Sequence, residues 1–312
     1  MKEQAIIKEI ADTLREKLKA AALRQKAQGM LFSGGLDTSI LAALSRETKA
    51  INVCFEDYSR DLPFAKAAAE FYKLDMRREK IRLDDALEAI PRLIKILKSF
   101  DPALPNDIAV YFGLSRFKQL GIKSVMTGDG ADELFGGYSY MQDVEDLNLY
   151  IKRMRKKMTF NSNVLGDYFG IQIKQPFLDS EVVNFALSID AGLKIREHKD
   201  KLYGKWILRK AFEKMLPEQI TWQSKRPLEV GSGTSRMRNF IAEKITDDEF
   251  AGKRKEYPIK FFNKEHLYFY EVYKDTVGSI PKVSSGQKEC DGCKAGILPQ
   301  AVHCKVCGWV KL

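Results

Sequence analysis

Apolar and polar positions follow two rhythms along this chain. Between residues 3 and 27, Ile6, Ile7, Ile10, Leu14, Leu18 and Leu23 recur at helical spacing, with Lys, Arg and Glu between them. That spacing predicts one long amphipathic helix with a stripe facing the core. Gly29-Met30-Leu31-Phe32 is a short apolar run that predicts a buried strand, and Ile40–Ser45 predicts a helix soon after it. Ala50–Phe55 and Met76–Ile81 predict a second and a third strand, with a helix over 63–73 between them. Residues 83–98 read as a helix that Pro91 kinks or restarts. Pro105–Leu120 reads as another helix, and Lys123–Met126 as a fourth strand. Short apolar strands alternating with helices predict an α/β fold built on a doubly wound parallel sheet. Residues 236–280 mix charges with aromatics and are expected to be helical and packed. There is no internal repeat.

Composition adds three constraints. A chain of 312 residues can bury one large core, or a core with smaller lobes. Its net charge of +10 suits anionic partners such as nucleotides, acidic substrates or RNA, and equally a generally solvated basic surface. No apolar run reaches about 18 residues, and Met1-Lys2-Glu3-Gln4 leads into a charged helix. Neither a membrane span nor a signal peptide is therefore expected. Five cysteines, four of them crowded at the C-terminus, do not form a secreted disulfide pattern. The expected compartment is the cytoplasm, with no membrane partner.

Candidate chemistry concentrates in three stretches. The first is Ser33-Gly34-Gly35-Leu36-Asp37-Thr38-Ser39, between the first strand and its helix. Adjacent glycines admit a ligand close to the backbone, and the helix that follows aims unpaired N–H groups at it. The hydroxyls of Ser33, Thr38 and Ser39 add donors, so the expected guest is a phosphate or pyrophosphate. Asp37 would repel such a guest unless a divalent cation lay between them. The second stretch, Thr127-Gly128-Asp129-Gly130-Ala131-Asp132-Glu133-Leu134-Phe135-Gly136-Gly137-Tyr138, follows the fourth strand. Its three crowded carboxylates predict a cation ligand at Asp132 and acids facing a substrate, a solvated acidic turn being the alternative. The third comprises Cys290-Asp291-Gly292-Cys293 and Cys304-Lys305-Val306-Cys307-Gly308. Two Cys-x-x-Cys knuckles predict a closed zinc site on Cys290, Cys293, Cys304 and Cys307, with the metal supplying folding energy. An iron–sulfur site or redox-active pairs are the alternatives. Lys152–Lys157 is a basic run expected on a solvated helix face. His198 and His303 are expected to be structural.

SGGLDTS resembles the pyrophosphate loop of the N-type ATP pyrophosphatases (the PP-loop superfamily), which cut ATP between its α- and β-phosphates. GDGADELFGGY resembles the signature of the synthase domain of asparagine synthetases. Three further stretches agree in order: Gln175–Asp179 with "VPFLD", Lys205–Phe212 with "KxxLRxAF", and Leu216–Lys225 with "LPxxIxxRxK". The resemblance runs from about residue 10 to about residue 240. It implies an adenine nucleotide α-hydrolase-like sheet with a helical C-terminal part, to which the two cysteine knuckles add a small zinc ribbon. The domains expected are a synthase-like unit over 1–280, a linker over 281–289 read from its polar composition, and the ribbon over 290–312 read from its cysteines. The resemblance also implies ATP bound by Leu31, Ser33, Gly34, Gly35, Asp37, Thr38, Ser39, Val53 and Gly128. Mg²⁺ would be held by Asp37 and Asp132, and catalysis carried by Asp129, Lys205 and Lys225.

Three departures stand out. Position 2 is Lys where such enzymes carry a glutaminase cysteine, so a glutaminase domain is not expected in this chain. Asp129 stands where the signature often has Glu. Arg226–Ser235 replaces the pattern "QF/PF-x-DG-x-G". The function implied is an ATP-dependent, AMP-forming amide ligase acting on a carboxylate and on ammonia or another amine, with free ammonia or a separate glutaminase subunit as nitrogen source. The alternative is a PP-loop tRNA-modifying enzyme that adenylates a base for sulfur or nitrogen insertion. The ribbon would then meet tRNA, a protein partner or a carrier. Cys54, alone in the core and on a strand, reads as a buried inert thiol. A catalytically dead scaffold is the third reading.

Overall fold

The computed structural model describes residues 2–310. A five-stranded sheet in the order β3-β2-β1-β4-β5 organises it. The strands are β1 (Gly29–Leu31), β2 (Lys49–Phe55), β3 (Met76–Ile81), β4 (Ser124–Met126) and β5 (Gln172–Lys174). β1 pairs in parallel with both β2 and β4, setting Met30 opposite Ala50 on one side and Met126 on the other. β4 pairs in parallel with β5. The chain runs outward from β1 through α2 (Leu36–Leu44), β2 and α3 (Leu62–Tyr72) to β3. It then returns through α4 (Leu83–Leu97) and α5 (Leu104–Gln119) to place β4 on the far side of β1. The strand order therefore reverses at β1/β4, the place where doubly wound sheets in general bind ligands beyond their strand ends.

The first four strands fall where the apolar runs predict them. β5 was not predicted, because its three residues contain one apolar side chain and carry no periodic signal. Pro91 lies inside α4 without ending it, so the expected restart does not occur. α1 (Lys2–Arg24) buries Ala11, Leu14, Leu18, Ala21 and Ala22, and packs on the helix Trp206–Phe212. Ile6 and Leu23, counted in the apolar stripe, are exposed. Further along come α6 (Ala131–Phe135), α7 (Leu147–Arg155), α8 (Asn161–Phe169) and α9 (Ser180–Ser188). The basic run ends α7, where Lys152, Arg153 and Arg155 oppose the negative end of the helix dipole. Among the described residues no helix is long and apolar enough to cross a membrane.

Internal contacts divide the chain into two units. One comprises Met1–Val53, Arg60–Glu79 and Gly113–Pro227; the other comprises Cys54–Ser59, Lys80–Phe112 and Leu228–Leu312. In the second unit α4 packs on the helix Lys264–Thr276. Phe100 is stacked on His266 and set edge-on to Tyr270 and Tyr273. The cysteine segment is bonded to the body of this unit. Val306 C=O accepts the Phe100 N–H at 2.7 Å and the Ser99 hydroxyl at 3.3 Å. His303 Nε2 lies 2.9 Å from Asp101 Oδ2, and the Lys260 N–H donates to Gly292 C=O. Trp309 stacks on Phe262 with centroids 5.5 Å apart. Gly308 has φ +75°, and a Cβ there would lie 2.6 Å from Asp101 Oδ1. The second knuckle therefore turns tightly against the Ser99–Asp101 loop.

Candidate functional site

The turn after β1 is a glycine turn leading into α2. Among the described residues no side chain caps α2, so its first-turn N–H groups lack a capping acceptor. Ser33 Oγ lies 3.1 Å from Thr38 Oγ1 and accepts the Gly35 N–H, which fixes the shape of the turn. Gly34 has φ +78°, and a Cβ there would strike the Ala65 backbone nitrogen at 2.3 Å. The turn thus rests on the first turn of α3. Ser39 Oγ is buried without a hydrogen-bond partner among the described residues. Leu31 and Val53 lie half-buried near the ends of β1 and β2.

The turn after β4 closes against the turn after β1. A Cβ on Gly128 would lie 3.0 Å from Asp37 Cβ, so glycine lets the two turns touch. Lys205 then joins them. Its Nζ lies 2.6 Å from Asp37 Oδ2 and 2.7 Å from Asp132 Oδ1. Lys225 Nζ approaches the other Asp132 oxygen at 2.5 Å. Lys205 is buried and holds a left-handed backbone, φ +56°, at the start of the helix Trp206–Phe212. Gly137 makes room for it, since a Cβ there would meet Lys205 Cε at 2.3 Å. Burial pushes the Asp132 carboxyl up, but the two ammonium groups outweigh it and hold it at about 2. Burial likewise lowers Lys205, and the two carboxylates more than reverse this. Asp132 and Lys205 therefore stay charged across the neutral range.

Asp129 faces a different set of partners. Its Oδ2 accepts from Thr127 Oγ1 at 2.6 Å, Ser162 Oγ at 2.6 Å and Gln175 Nε2 at 2.9 Å. Three donors on one oxygen hold the carboxylate in place. Ser162 and Gln175 were not singled out in the sequence. The available signal was a polar residue where the resembled "VPFLD" pattern has valine. Glu133 is one of the acids expected to face a substrate. It accepts the Tyr138 hydroxyl at 2.6 Å, and burial raises its pKa. His198 stacks on Trp222 with centroids 3.7 Å apart, a packing role.

Two donor sets fit metals. Asp37 Oδ1 is buried without a hydrogen-bond partner among the described residues, a hard oxygen suited to Mg²⁺. The four sulfurs of Cys290, Cys293, Cys304 and Cys307 lie within 4.8 Å of one another, all buried. Cys290 and Cys307 are 3.7 Å apart, and Cys293 and Cys304 3.8 Å. A tetrahedron with metal–sulfur bonds of about 2.3 Å requires edges of about 3.8 Å. The cluster therefore has the size zinc demands.

The family model described as asparagine synthase matches residues 9–167 and 147–271. The probable glutamine-hydrolyzing asparagine synthetase of Dictyostelium discoideum is 26% identical over 293 residues, covering 82% of this chain and 52% of that protein. The glutamine-hydrolyzing enzyme of Sandersonia aurantiaca is 30% identical over 272 residues, covering 78% and 52%. Asparagine synthetase B of Escherichia coli is 25% identical over 311 residues, covering 88% and 54%. The chain spans about half the length of these relatives. Among solved structures, NMN synthetase from Francisella tularensis aligns with a TM-score of 0.36 at 13% identity, covering 89% of this chain and 98% of that one. With the family model spanning most of the chain, and Asp37, Asp132, Lys205 and Lys225 gathered at one strand-order reversal, the chain belongs to the asparagine synthase family.

Proposed function

We propose that this protein splits ATP to AMP and pyrophosphate at the β1/β4 strand ends and uses that step to form an amide. The observation that carries this reading is the Asp37–Lys205–Asp132–Lys225 cluster beside an uncapped helix N-terminus. ATP would lie along the Ser33–Ser39 turn with Gly128 beside it, and its adenine near the backbone of Leu31 and Val53. Asp37 and Asp132 would hold Mg²⁺, which when bound neutralises charge on the phosphates. A substrate carboxylate oxygen attacks the α-phosphorus. The α–β bridging bond breaks, and pyrophosphate leaves with the electron pair. Lys205 and Lys225 stabilise the charge growing on that leaving group. Ammonia or another amine then attacks the acyl carbon, AMP departs, and Asp129 orients the amine or takes up its proton.

Free ammonia or a separate glutaminase subunit would supply the nitrogen. Residues 1–280 would carry this activity, 281–289 would link, and 290–312 would form a zinc ribbon through Cys290, Cys293, Cys304 and Cys307. The test is ATP–pyrophosphate exchange across a panel of carboxylic acids and bulk tRNA. Exchange stimulated by aspartate or another acid is the expected result. Exchange that requires RNA would favour base adenylation instead, and ATP binding without exchange would overturn both.

A further inference from the structure

The stretch Gln223–Arg226 crosses the phosphate turn and is tied down at three points. Gln223 Nε2 donates to the carbonyl of Gly34 at 3.1 Å. Arg226 Nη2 donates to Gln223 Oε1 at 2.8 Å, while its Nε donates to Asp61 Oδ1 at 2.7 Å. The same guanidinium lies 4.7 Å from the Phe64 ring centroid. Between these anchors Lys225 reaches Asp132. Asp61 is the N-cap residue of α3, yet its side chain caps nothing and is spent on Arg226. The first turn of α3 is also the seat of Gly34, through Ala65. Arg209 binds the strap from behind, donating to Gly204, Thr221 and Gln223 carbonyls.

One residue thus does two jobs. Gln223 accepts from the arginine with its oxygen and holds the turn with its nitrogen. The pattern "LPxxIxxRxK" has an arginine where this chain has Gln223, and here the arginine stands three residues later. A guanidinium at 223 has no acceptor atom and could not receive a second arginine. Gln223 and Arg226 therefore work as a pair. We infer that Asp61, Arg226 and Gln223 are positioning residues that fix the Gly34 carbonyl and the Lys225 ammonium relative to each other before nucleotide arrives. This rests on the ATP-cleaving role proposed above for the turn and Lys225.

The test uses the full chain with Gln223→Ala, Arg226→Ala, Arg226→Lys and the exchanged double variant Gln223→Arg/Arg226→Gln. Mg²⁺–ATP affinity, KM and kcat for pyrophosphate exchange, melting temperature and amide exchange over residues 33–39 are measured. Gln223→Ala is expected to weaken ATP about tenfold, the scale of one hydrogen bond, with the melting temperature kept. Arg226→Ala is expected to lower kcat more than ATP affinity. Arg226→Lys should not rescue it, because a lysine cannot donate to Asp61 and Gln223 in one fork. The double variant should recover turnover relative to Arg226→Ala. Both alanine variants should speed amide exchange in the turn of the nucleotide-free protein. Wild-type KM, kcat and turn protection in both would overturn the inference. If the wild-type protein catalyses no exchange at all, the ATP-cleaving reading fails, and turn protection alone decides the strap.

Discussion

Lys205 carries an unusual load for one side chain. It holds a left-handed backbone, lies buried, and neutralises two carboxylates from different strand ends. Replacing it with alanine leaves Asp37 and Asp132 facing each other without their shared cation, which should destabilise the fold by about 3 kcal/mol or more. In the proposed reaction, Lys205→Ala should cut pyrophosphate exchange by about 100-fold. Denaturant titration and exchange rates check the two effects separately. Glu265 offers a pH-dependent test in the other unit. Among the described residues neither of its buried oxygens has a hydrogen-bond partner, Arg238 Nε is 3.5 Å away, and burial raises its pKa to about 7. A carboxyl raised in the folded state favours folding fully below its unfolded pKa and loses that contribution as pH climbs through about 7. Glu265→Gln should therefore match the parent near pH 4 and exceed it at pH 8, by up to about 3 kcal/mol, in melts across that range. Lys205 was legible in the sequence through its motif. Glu265 was not, because burial of one acid among many along a mixed stretch has no spacing. Asp61 and Arg226, 165 positions apart, left no local trace either.

At the scale of elements, the strand–turn–helix β1–α2 was readable because its residues serve one local geometry. Two glycines, flanking hydroxyls and an apolar strand recur within eleven residues, from Gly29 to Ser39. Gly34→Ala should show this directly. The added methyl meets the Ala65 backbone, and the residue must keep φ +78°. A loss of more than about 1 kcal/mol, together with weakened ATP binding, is expected from melts and calorimetry. Elements defined by long-range pairing were harder to read. β5 exists because Val125 and Ile173 pair across the sheet, and its own sequence would suit a loop. α4 continues through Pro91 although the residue lacks an N–H, since Ala86, Ala89, Ile90, Leu93 and Ile94 bury one face along its length. Packing outweighs the local penalty there.

At the scale of the molecule, the two units raise separate questions. The first contains the nucleotide chemistry proposed above, and the second contains the cysteine cluster. Chelation should therefore act on the second unit. If the cluster holds the proposed zinc, stripping the metal should raise amide exchange at Ser99–Asp101 and around Phe262 and lower the melting temperature by several degrees, about 2–4 °C for each kcal/mol lost in a chain of this size. Added zinc should restore both, and an unchanged melt after complete metal removal would argue against a structural ion. The spacing of the thiols foretold the cluster, but nothing in it foretold the bonds from Val306 and His303 to the loop after α4. Those bonds bear on how the tail can be trimmed. A version ending before residue 281 would strip the acceptor from Phe100, the imidazole from Asp101 and the indole from Phe262 in a single cut. The C-terminal segment is a cornerstone of its own unit, and a minimal, tail-less chain would begin life with that wall already missing.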